Sequence, residues 1–573
     1  MTTSGKKKKV LFQTDFSLAK TGFGRNAKAV LSYLYKTNKY DIVHYCAGMR
    51  ENNPSLSRTP WKSIGAIPTD PFVVEKIEQD EEAMKLAVYG NYRLDEVINS
   101  EKPDIYIAAQ DIWGIDFAVK KPWFNKISSV FWTTLDSLPI LPSAVQLGDQ
   151  VENYWVWSSF ATNALHEHGH NHVKTVHGPI ESQYFYRFSD EKRELRRKSL
   201  NIPQDSFIIG FVFRNQLRKS VPNLLQGYKL WKEKQKPVRP TFLYLHTDFG
   251  EGWNILERAD EFGVSHKEII CTYVCDSCKN YDVGQFRGLG VECPFCGEKK
   301  SMSTISPQNA VTEKELNEIY NIMDVYVHPF TSGGQEIPIQ EAKLTELVTL
   351  VTNYSCGEEM CQKDAYSIPL EWFEYREPGT EFIKASTDPE SIAEGLFLAY
   401  SMSKDKIRDM GKKARDWTLE NYSIDSIGPK LEEFLDDCPF TNYDFPENEE
   451  EEEKISIEDM LSDDDKGRRI LYVIPRTERD VFLSTSLFKS IKEQYPDHNL
   501  YVATEKAFFP VLDGNPHVHR VLEYSPQMDN LFWLEGRGDH DGYFEIAFLP
   551  HVNTQRMITF PHNGKDKIAF NLT

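Results

Sequence analysis

The sequence predicts an α/β fold with two doubly wound domains, a cysteine-rich insertion in the second domain, and a small α/β module at the end. Short apolar strands alternate with amphipathic helices, starting near Lys9. The alternation begins afresh at Phe207, and two Cys-x-x-Cys motifs interrupt this second series. A chain of 573 residues is also too long for one hydrophobic core.

Composition narrows the class of protein. The formal net charge of −20 argues against a generally basic surface for nucleic acid. No apolar run reaches the roughly 18 residues of a membrane span. The basic run 6–9 leads into a short strand and not into a signal-peptide apolar segment. Because the cysteine pattern suits a reducing compartment, we expect a soluble, cytoplasmic protein without a transmembrane segment.

The first domain is expected over residues 1–185. It opens with a strand at 10–13, a glycine-containing turn at 21–25 and an amphipathic helix at 26–35. Further apolar strands are predicted at 105–107, 130–132 and 154–157. This alternation is typical of a nucleotide-binding type of parallel sheet.

The second domain is expected over residues 186–438. It begins with a strand at 207–213 and a helix at 223–232. More elements follow, and they are the strands 241–245, 325–327 and 348–351 and the late helix 406–435.

Beyond it, residues 439–467 contain runs of Glu and Asp that are too charged to form a core, and they predict a flexible acidic linker. A small module, 468–573, starts with a strand at 470–474 and a helix at 484–494.

Four cysteines have the spacing of a two-knuckle metal site. The two Cys-x-x-Cys pairs are Cys275 with Cys278 and Cys293 with Cys296, inside an insertion at 271–300. Four thiolates at this spacing predict a tetrahedral zinc ribbon. A closed four-thiolate site leaves no position for water or substrate, so the expected role of zinc is structural.

Cations and glycines mark two turns of the second domain. Arg214 and Lys219 follow the strand 207–213 and precede a helix, which suits a diphosphate, although basic turn residues are often merely solvated. The segment 332–342 is a glycine-rich loop that runs into a helix carrying carboxylates. Glycine lets a ligand approach the backbone closely, and a helix N-terminus favours negative charge.

The order of these motifs over residues 8–435 resembles the retaining GT-B-fold glycosyltransferases of family 4, including the segment 316–329 before the glycine-rich loop. The resemblance implies two facing Rossmann-like domains. It also implies that Arg214 and Lys219 grip the diphosphate of a nucleoside-diphosphate sugar.

The family's loop carries two glutamates separated by seven residues. Glu341 matches the second, which implies contact with the ribose, whereas Gly333 stands where the first should contact the sugar. Gln335, Glu336 or the backbone of Gly334 could take over that contact. The departure is also compatible with an inactive relative.

The resemblance extends to the first domain. Gly22 and Gly24 resemble the glycine-rich loop that approaches the donor phosphates. Asp136 follows a strand where related enzymes place a polar residue near the transferred sugar, and a turn cap is its structural alternative. Gln110 and Asp111 also follow a strand.

His246 ends a strand of the second domain, where a donor contact and a buried structural histidine are both compatible with the sequence.

The C-terminal module resembles the N-terminal half of heptosyltransferase-type (family 9) enzymes. Asp480 matches an early catalytic Asp there, but Arg479 replaces the preceding glycine. Since no second half follows it in this sequence, the resemblance implies a binding or assembly domain.

These expectations converge on a hexosyltransferase-type glycosyltransferase that retains anomeric configuration and needs no catalytic divalent metal. Asp136, Arg214 and Lys219 are its expected catalytic residues. The acceptor, whether glycan, protein or modified nucleic acid, stays open, as does the oligomeric state. A non-catalytic scaffold and a glycosyltransferase acting on modified DNA bases are the two alternatives.

Overall fold

The computed structural model describes the residues 6–306, 309–446, 460–461, 467–475, 477–529, 531–536, 542–551, 558–562 and 565–569. The chain divides into two compact units, Met1–Pro446 and Glu447–Thr573. Throughout these described parts, every helix is too short or too polar to cross a membrane.

The first part of the larger unit is a parallel sheet with helices on both faces. Its elements in chain order are β1 (Lys8–Asp15), α1 (Gly22–Thr37), β2 (Tyr40–Arg50), β3 (Lys62–Ile67), α2 (Pro71–Glu78), α3 (Glu81–Val88), α4 (Leu94–Glu101), β4 (Ile105–Ala109), β5 (Ser128–Thr133), α5 (Pro142–Gly148), β6 (Asn153–Val156), α6 (Ser159–Glu167) and β7 (Lys174–Thr175). The strand order is β3-β2-β1-β4-β5-β6-β7, with all neighbours parallel. Each strand predicted here overlaps an observed one.

Helix α1 begins earlier than the sequence predicts. The predicted turn at 21–25 is the first turn of the helix, because the side chain of Thr21 caps it by accepting the Gly24 N–H at 3.0 Å. Gly22 and Gly24 therefore lie in a helix and not in a loop. A Cβ on Gly24 would lie 2.6 Å from the Ala19 carbonyl oxygen, so glycine lets the helix start close against the preceding loop.

The second part of the larger unit is built around another doubly wound sheet. Its elements are α7 (Asp190–Ser199), β8 (Phe207–Val212), α8 (Val221–Gln235), β9 (Thr241–His246), α9 (Ile255–Glu261), β10 (Ile269–Cys275), β11 (Tyr281–Gln285), β12 (Met302–Thr304), α10 (Glu313–Ile322), β13 (Val325–His328), α11 (Ile337–Leu344), β14 (Val348–Thr352), α12 (Gly357–Met360) and β15 (Ile368–Leu370). The strand order is β11-β10-β9-β8-β13-β14-β15, and β12 pairs with β10. Within this sheet only β11 and β12 run antiparallel to their neighbour β10; β11 lies in the cysteine-rich insertion 271–300, and β12 directly follows it.

The remaining elements of this unit connect the second sheet back to the first. They are β16 (Trp372–Arg376), β17 (Ile383–Thr387), α13 (Pro389–Ser401), α14 (Lys404–Tyr422) and α15 (Ile424–Asp437). The predicted late helix 406–435 is in fact two helices, because Ser423 ends α14 and caps α15 by accepting the Ser426 N–H. Leu431 and Leu435 of α15 pack into the core of the first sheet.

Residues 439–446, predicted as the start of the acidic linker, pack against the first sheet. Phe445 is buried in its core, and the Thr441 N–H donates to Asp104 Oδ1 at 2.9 Å. These residues are therefore part of the first domain and not of a flexible linker, because the burial of the Phe445 side chain outweighs the local negative charge. The glutamate run 447–453 lies outside the described residues.

The smaller unit contains a parallel sheet of its own. Its elements are β18 (Arg468–Val473), α16 (Glu478–Gln494), β19 (His498–Thr504), β20 (Arg520–Glu523), α17 (Leu531–Glu535), β21 (Ile546–Phe548), β22 (Ile558–His562) and β23 (Lys565–Ala569). The order β20-β19-β18-β21 is parallel throughout. Asp480 lies in the first turn of α16, where its N–H donates to Thr477 Oγ1 at 3.1 Å.

Candidate active site

The carboxyl ends of the two large parallel sheets meet at a shared cleft. Asp136, three residues after β5, accepts a hydrogen bond from Ser332 Oγ at 3.0 Å. Its backbone carbonyl accepts another from Ser355 Oγ at 2.7 Å. Gly334 lies directly against Thr134, where a Cβ would overlap the threonine side chain. Ligands of open α/β sheets bind beyond these strand ends, so this cleft is the candidate active site.

A cluster of charges, all but one of them buried, lies around the turn that follows β8. Lys219 is buried and donates to Glu336, and Arg218 Nη1 donates to Glu336 Oε1 at 2.5 Å. His328, at the end of β13, lies 3.1 Å from Glu336 Oε2 through Nε2. One carboxylate thus neutralises part of the charge of two cations at the position where the sequence predicts a diphosphate.

Burial and charge oppose each other in this cluster. Burial, and then the charge of Arg218, lowers the pKa of Lys219 to about 8 in spite of Glu336. Burial alone would raise the pKa of the Glu336 carboxyl, but Lys219 and Arg218 hold it well below its usual range. Glu336 is therefore held as an anion, and its charge favours the protonated form of Lys219 against burial and the charge of Arg218.

The geometry explains why glycine occupies position 333. A Cβ built there would lie 2.5 Å from Glu336 Oε1, so the Glu336 carboxylate fills the space that a side chain at 333 would need. The Gly333 carbonyl accepts hydrogen bonds from Ser355 Oγ at 2.8 Å and from the Cys356 N–H at 3.3 Å. The loop therefore carries its carboxylate three positions later than the family pattern.

Gln335 joins the two sheets directly. Its Nε2 donates to the Gly178 carbonyl at 2.7 Å, and its Oε1 accepts the Gly178 N–H at 2.8 Å. Both hydrogen-bonding groups of the side-chain amide thus contact the backbone of one residue, Gly178, which follows β7. Gln335 thereby links the loop 333–336 to the backbone that follows β7.

Glu341, on α11, is fully buried and has a partner on each oxygen. Arg25 of α1 donates to Oε1, and the Tyr320 hydroxyl donates to Oε2 at 2.8 Å. Burial would lower the pKa of Arg25, but Glu341 raises it above the ordinary value. A Cβ built on Gly22 would lie 3.6 Å from Ile337 Cδ1. The first turns of α1 and α11 therefore face each other across the cleft.

Two predicted donor residues lie apart from this cluster. Arg214 is exposed, and its Nη2 donates to Glu251 Oε1 at 2.6 Å. His246 is buried beside β10, where its Nδ1 lies 2.7 Å from Thr272 Oγ1, and burial lowers its pKa to about 3. The structure thus gives His246 the surroundings of a neutral structural histidine.

The first sheet contributes three carboxylates to the cleft. Asp15 accepts from Gln110 Nε2 at 2.6 Å, and Asp111 accepts from Thr134 Oγ1 at 2.6 Å. Burial, and then the charges of Asp136 and Asp15, raises the pKa of Asp111, although the Thr134 hydrogen bond lowers it.

A lysine from β17 approaches this row of carboxylates. Lys384 donates to Ser137 Oγ at 2.6 Å and to Ser332 Oγ at 2.7 Å, and its Nζ lies 3.9 Å from Asp136 Oδ1.

Sequence reasoning missed Arg25, Arg218, His328 and Lys384 as site residues. Arg218 stands beside Lys219 in the cationic turn, and Arg25 stands in the turn at 21–25, so both had a local signal. Lys384 had none, since it reaches the cleft through a hairpin whose strands the sequence pattern did not predict.

The four cysteines of the insertion form one cluster. All four Sγ atoms lie within 4.8 Å of one another, with Cys275 to Cys296 and Cys278 to Cys293 both at 3.7 Å. A tetrahedron with metal–sulfur bonds of about 2.3 Å has edges of about 3.8 Å, so the residues fit a metal ion. The Phe295 N–H donates to Cys293 Sγ at 3.4 Å. The cluster could hold a metal.

No protein-family model matches the sequence, and no curated protein sequence does. Solved structures do match. A glycosyltransferase from Rickettsia africae ESF-5 has 15% identity and a TM-score of 0.52, with 76% of this chain and 99% of that chain covered. Anabaena Alr3699/HepE, in complex with UDP and glucose, has 11% identity and a TM-score of 0.51, with 75% and 99% covered.

Sucrose-phosphate synthase from Thermosynechococcus elongatus has 13% identity and a TM-score of 0.51, with 75% and 98% covered. At these identities the likeness concerns the fold. The chain has the GT-B fold of two Rossmann-like sheets, with a zinc-ribbon-like cysteine cluster in the second.

Proposed function

We propose that the protein is a glycosyltransferase that takes a hexose from a nucleoside-diphosphate sugar. The observation that carries the proposal is the pair of adjacent cations Lys219, which is buried, and Arg218, which is partly exposed, in the turn after β8 at the cleft between two sheets of GT-B fold. HepE, which shares this fold, was solved in complex with UDP and glucose. UDP-glucose is therefore the first donor to test.

The donor would lie across the cleft in a defined direction. Its diphosphate faces Lys219 and Arg218, its ribose faces Glu341, and its sugar faces the loop 333–336. Lys219 already pairs with Glu336, and Glu341 already pairs with Arg25. Donor binding would therefore exchange these internal ion pairs for contacts with the ligand. The protein keeps its buried charges satisfied before the donor arrives.

Transfer with retention follows from the family resemblance. The bond between sugar C1 and the diphosphate oxygen breaks, and its electron pair stays on the diphosphate. The acceptor hydroxyl bonds to C1, and its proton passes to the departing diphosphate. Fixed cations beside that oxygen stabilise the developing charge more than the ground state. Activity that is unchanged when magnesium is omitted would support transfer without a divalent metal.

The acceptor would approach from the first sheet, where Asp136 and Asp111 present carboxylates to the cleft. Hydroxyl-rich acceptors suit such groups as hydrogen-bond donors. A modified DNA base belongs in the acceptor panel, with binding at low salt as a second readout.

The test measures nucleoside diphosphate released from a panel of nucleotide sugars without acceptor. We expect slow hydrolysis of one donor, lost in Arg218→Gln and Lys219→Gln and kept in Lys267→Gln, a matched control outside the cleft. Arg214→Ala decides whether this exposed arginine also contributes. Turnover in the Lys219→Gln variant equal to that of the unaltered protein would contradict the proposed diphosphate site.

One observation favours a second candidate, a binding protein that keeps the fold without catalysis. Glu336 and Arg25 occupy the groups that a donor would use, so the cleft is charge-balanced by itself. Silence across the donor panel, together with no thermal stabilisation by any nucleotide, would favour this candidate.

The cysteine cluster is proposed to hold one structural zinc ion. Its four thiolates are expected to fold the insertion around β10, β11 and β12, which has a very small core of its own. Metal analysis should find about one zinc per chain. Cys275→Ser and Cys293→Ser should lose it, whereas Cys438→Ser, away from the cluster, should keep it.

The module Glu447–Thr573 is proposed as a binding or assembly domain, on the strength of its heptosyltransferase-like pattern. Removal of residues 447–573 should then leave donor hydrolysis in place and change acceptor use or assembly. Loss of donor hydrolysis itself in the shortened, folded chain would count against this assignment.

A further inference from the structure

A second cavity lies at the opposite edge of the second sheet from the candidate active site. Its volume is about 300 Å³, and its wall includes residues that immediately precede strands, namely Ser206 before β8, Asp324 before β13 and Leu347 before β14. It therefore lies at the amino edge of the sheet. A ligand here would not touch the donor site.

Positive charge dominates the wall of this cavity. Four acidic side chains line it, Asp190, Glu194, Asp324 and Glu346. The cationic side chains are six, Arg187, Arg193, Arg197, Arg239, Lys404 and Arg408. A surplus of cations around a concave space is unexpected in a chain with a net charge of −20.

Two of the four carboxylates in the wall are each shared between two guanidinium groups. Asp324 pairs with Arg193 and Arg197, both at 2.8 Å. Asp190 pairs with Arg187 at 3.3 Å and also with Arg408. Each carboxylate carries one negative charge against two positive ones, so both groups leave a positive remainder.

Arg239 adds a further cation with no acidic partner. Its guanidinium carbon lies 4.9 Å from the centre of the Phe207 ring and 4.7 Å from that of Tyr400. Among the described residues, no carboxylate forms an ion pair with it. The two rings restrict its motion, which leaves its N–H groups ready for a ligand at small entropic cost.

The buried arginine at the back of the cavity responds to this crowding. Arg197 is 4% exposed, and burial lowers its pKa, with the charges of Arg193 and Arg239 adding to the effect against Asp324. An anion in the cavity would relieve this repulsion.

We propose that this cavity binds a phosphomonoester dianion, with Arg239 as the principal contact and Lys404 at its exposed rim. The volume is large enough for a phosphate group that carries a small organic part. Arginine is suited to this chemistry because its planar fork of donors matches phosphate oxygens. Inorganic phosphate and a hexose phosphate share that chemistry, so both serve as probes.

Calorimetric titration of the full chain with each probe tests the proposal. We expect binding that Arg239→Gln weakens about tenfold or more, because a charge-assisted hydrogen bond contributes about 1.5–3 kcal/mol. Lys404→Gln should weaken it less. Lys412→Gln, which removes an exposed charge from the same helix α14 outside the cavity wall, should leave the affinity unchanged.

The titrations distinguish the kind of ligand and the place where it binds. Tighter binding of the hexose phosphate than of phosphate identifies an organic ligand, and equal binding identifies the free ion. Binding that survives in Lys219→Gln places the site away from the donor cleft, whether or not the protein transfers sugar. No heat with either probe, or equal heat in folded Arg239→Gln, would overturn the proposal.

Discussion

The two sides of the cleft balance charge in opposite ways. On the second sheet, Lys219 and Arg218 share the carboxylate of Glu336, and Glu341 pairs with Arg25. On the first sheet, Asp15 and Asp111 accept hydrogen bonds from amide and hydroxyl groups. Ion pairing permits the burial of Lys219, Glu336 and Glu341, while Asp15 and Asp111 stay partly exposed. The ion-paired charges of the second sheet suit a charged ligand that can replace one partner of each pair, whereas the carboxylates of Asp15 and Asp111 suit a neutral polyol.

The largest expected change in stability comes from breaking the ion pair of Lys219 and Glu336 on the second sheet. Glu336→Gln leaves Lys219 buried without its anion, so the free energy of unfolding should fall by about 3 kcal/mol or more. Denaturant unfolding measures this loss, with exposed Glu374→Gln as the control. UDP should stabilise this variant more than the unaltered protein, because the ligand now supplies the missing charge. An unchanged unfolding midpoint would show that Glu336 does not balance Lys219.

Removal of Arg25 tests the second compensated pair. Arg25→Met keeps the apolar stem but leaves Glu341 with only the Tyr320 hydroxyl, and stability should fall by about 2 kcal/mol. Lys36→Met, an exposed site near the end of the same helix, should change it little. Equal stability of the two variants would mean that the pair across the cleft does not form in solution.

A methyl group at position 333 tests the volume that Glu336 fills. Gly333→Ala places Cβ 2.5 Å from Glu336 Oε1, and we expect a loss of about 1–2 kcal/mol in thermal or chemical unfolding. The loss should shrink when Glu336→Ala is combined with it. Additive effects of the two substitutions would argue that they do not share this space.

The smallest effect is expected on the uncompensated side. The pKa of Asp111 is raised above its ordinary value of 3.8, chiefly by burial. At pH values between the ordinary pKa of 3.8 and the raised pKa of the folded state, the folded state binds more protons than the unfolded state. The free energy of unfolding therefore falls as pH rises through this range and then stays level. Asp111→Asn should therefore be more stable by about 1 kcal/mol or less at pH 7. The difference should vanish below the window, and a variant less stable at pH 7 would reverse the sign.

The sequence predicted the elements whose signal is local. The strand at 207–213 and the cysteine spacing at 275–296 needed no knowledge of distant residues, and both match the structure. The fold class followed from the alternation of such strands with helices. The break at Ser423 and the early start of α1 were missed because each depends on one capping side chain.

Contacts within the cleft were harder to predict, because they join residues far apart in the chain. Arg25 and Glu341 are separated by 316 positions, and Lys219 and Glu336 by 117. No local pattern distinguishes Glu336 from its neighbour Gln335 as the residue that turns inward. Lys219 and Glu341, which the resemblance did indicate, lie in the cleft, but their proposed roles stay predictions.

The relation between Gly333 and Glu336 affects how such proteins are found. A motif search that requires a glutamate eight positions before Glu341 discards this chain at its first step. Its folded loop nonetheless keeps a carboxylate beside the position that the motif specifies. A search pattern that accepts glycine there, when a glutamate follows three residues later, would recover sequences that a strict motif leaves unclassified.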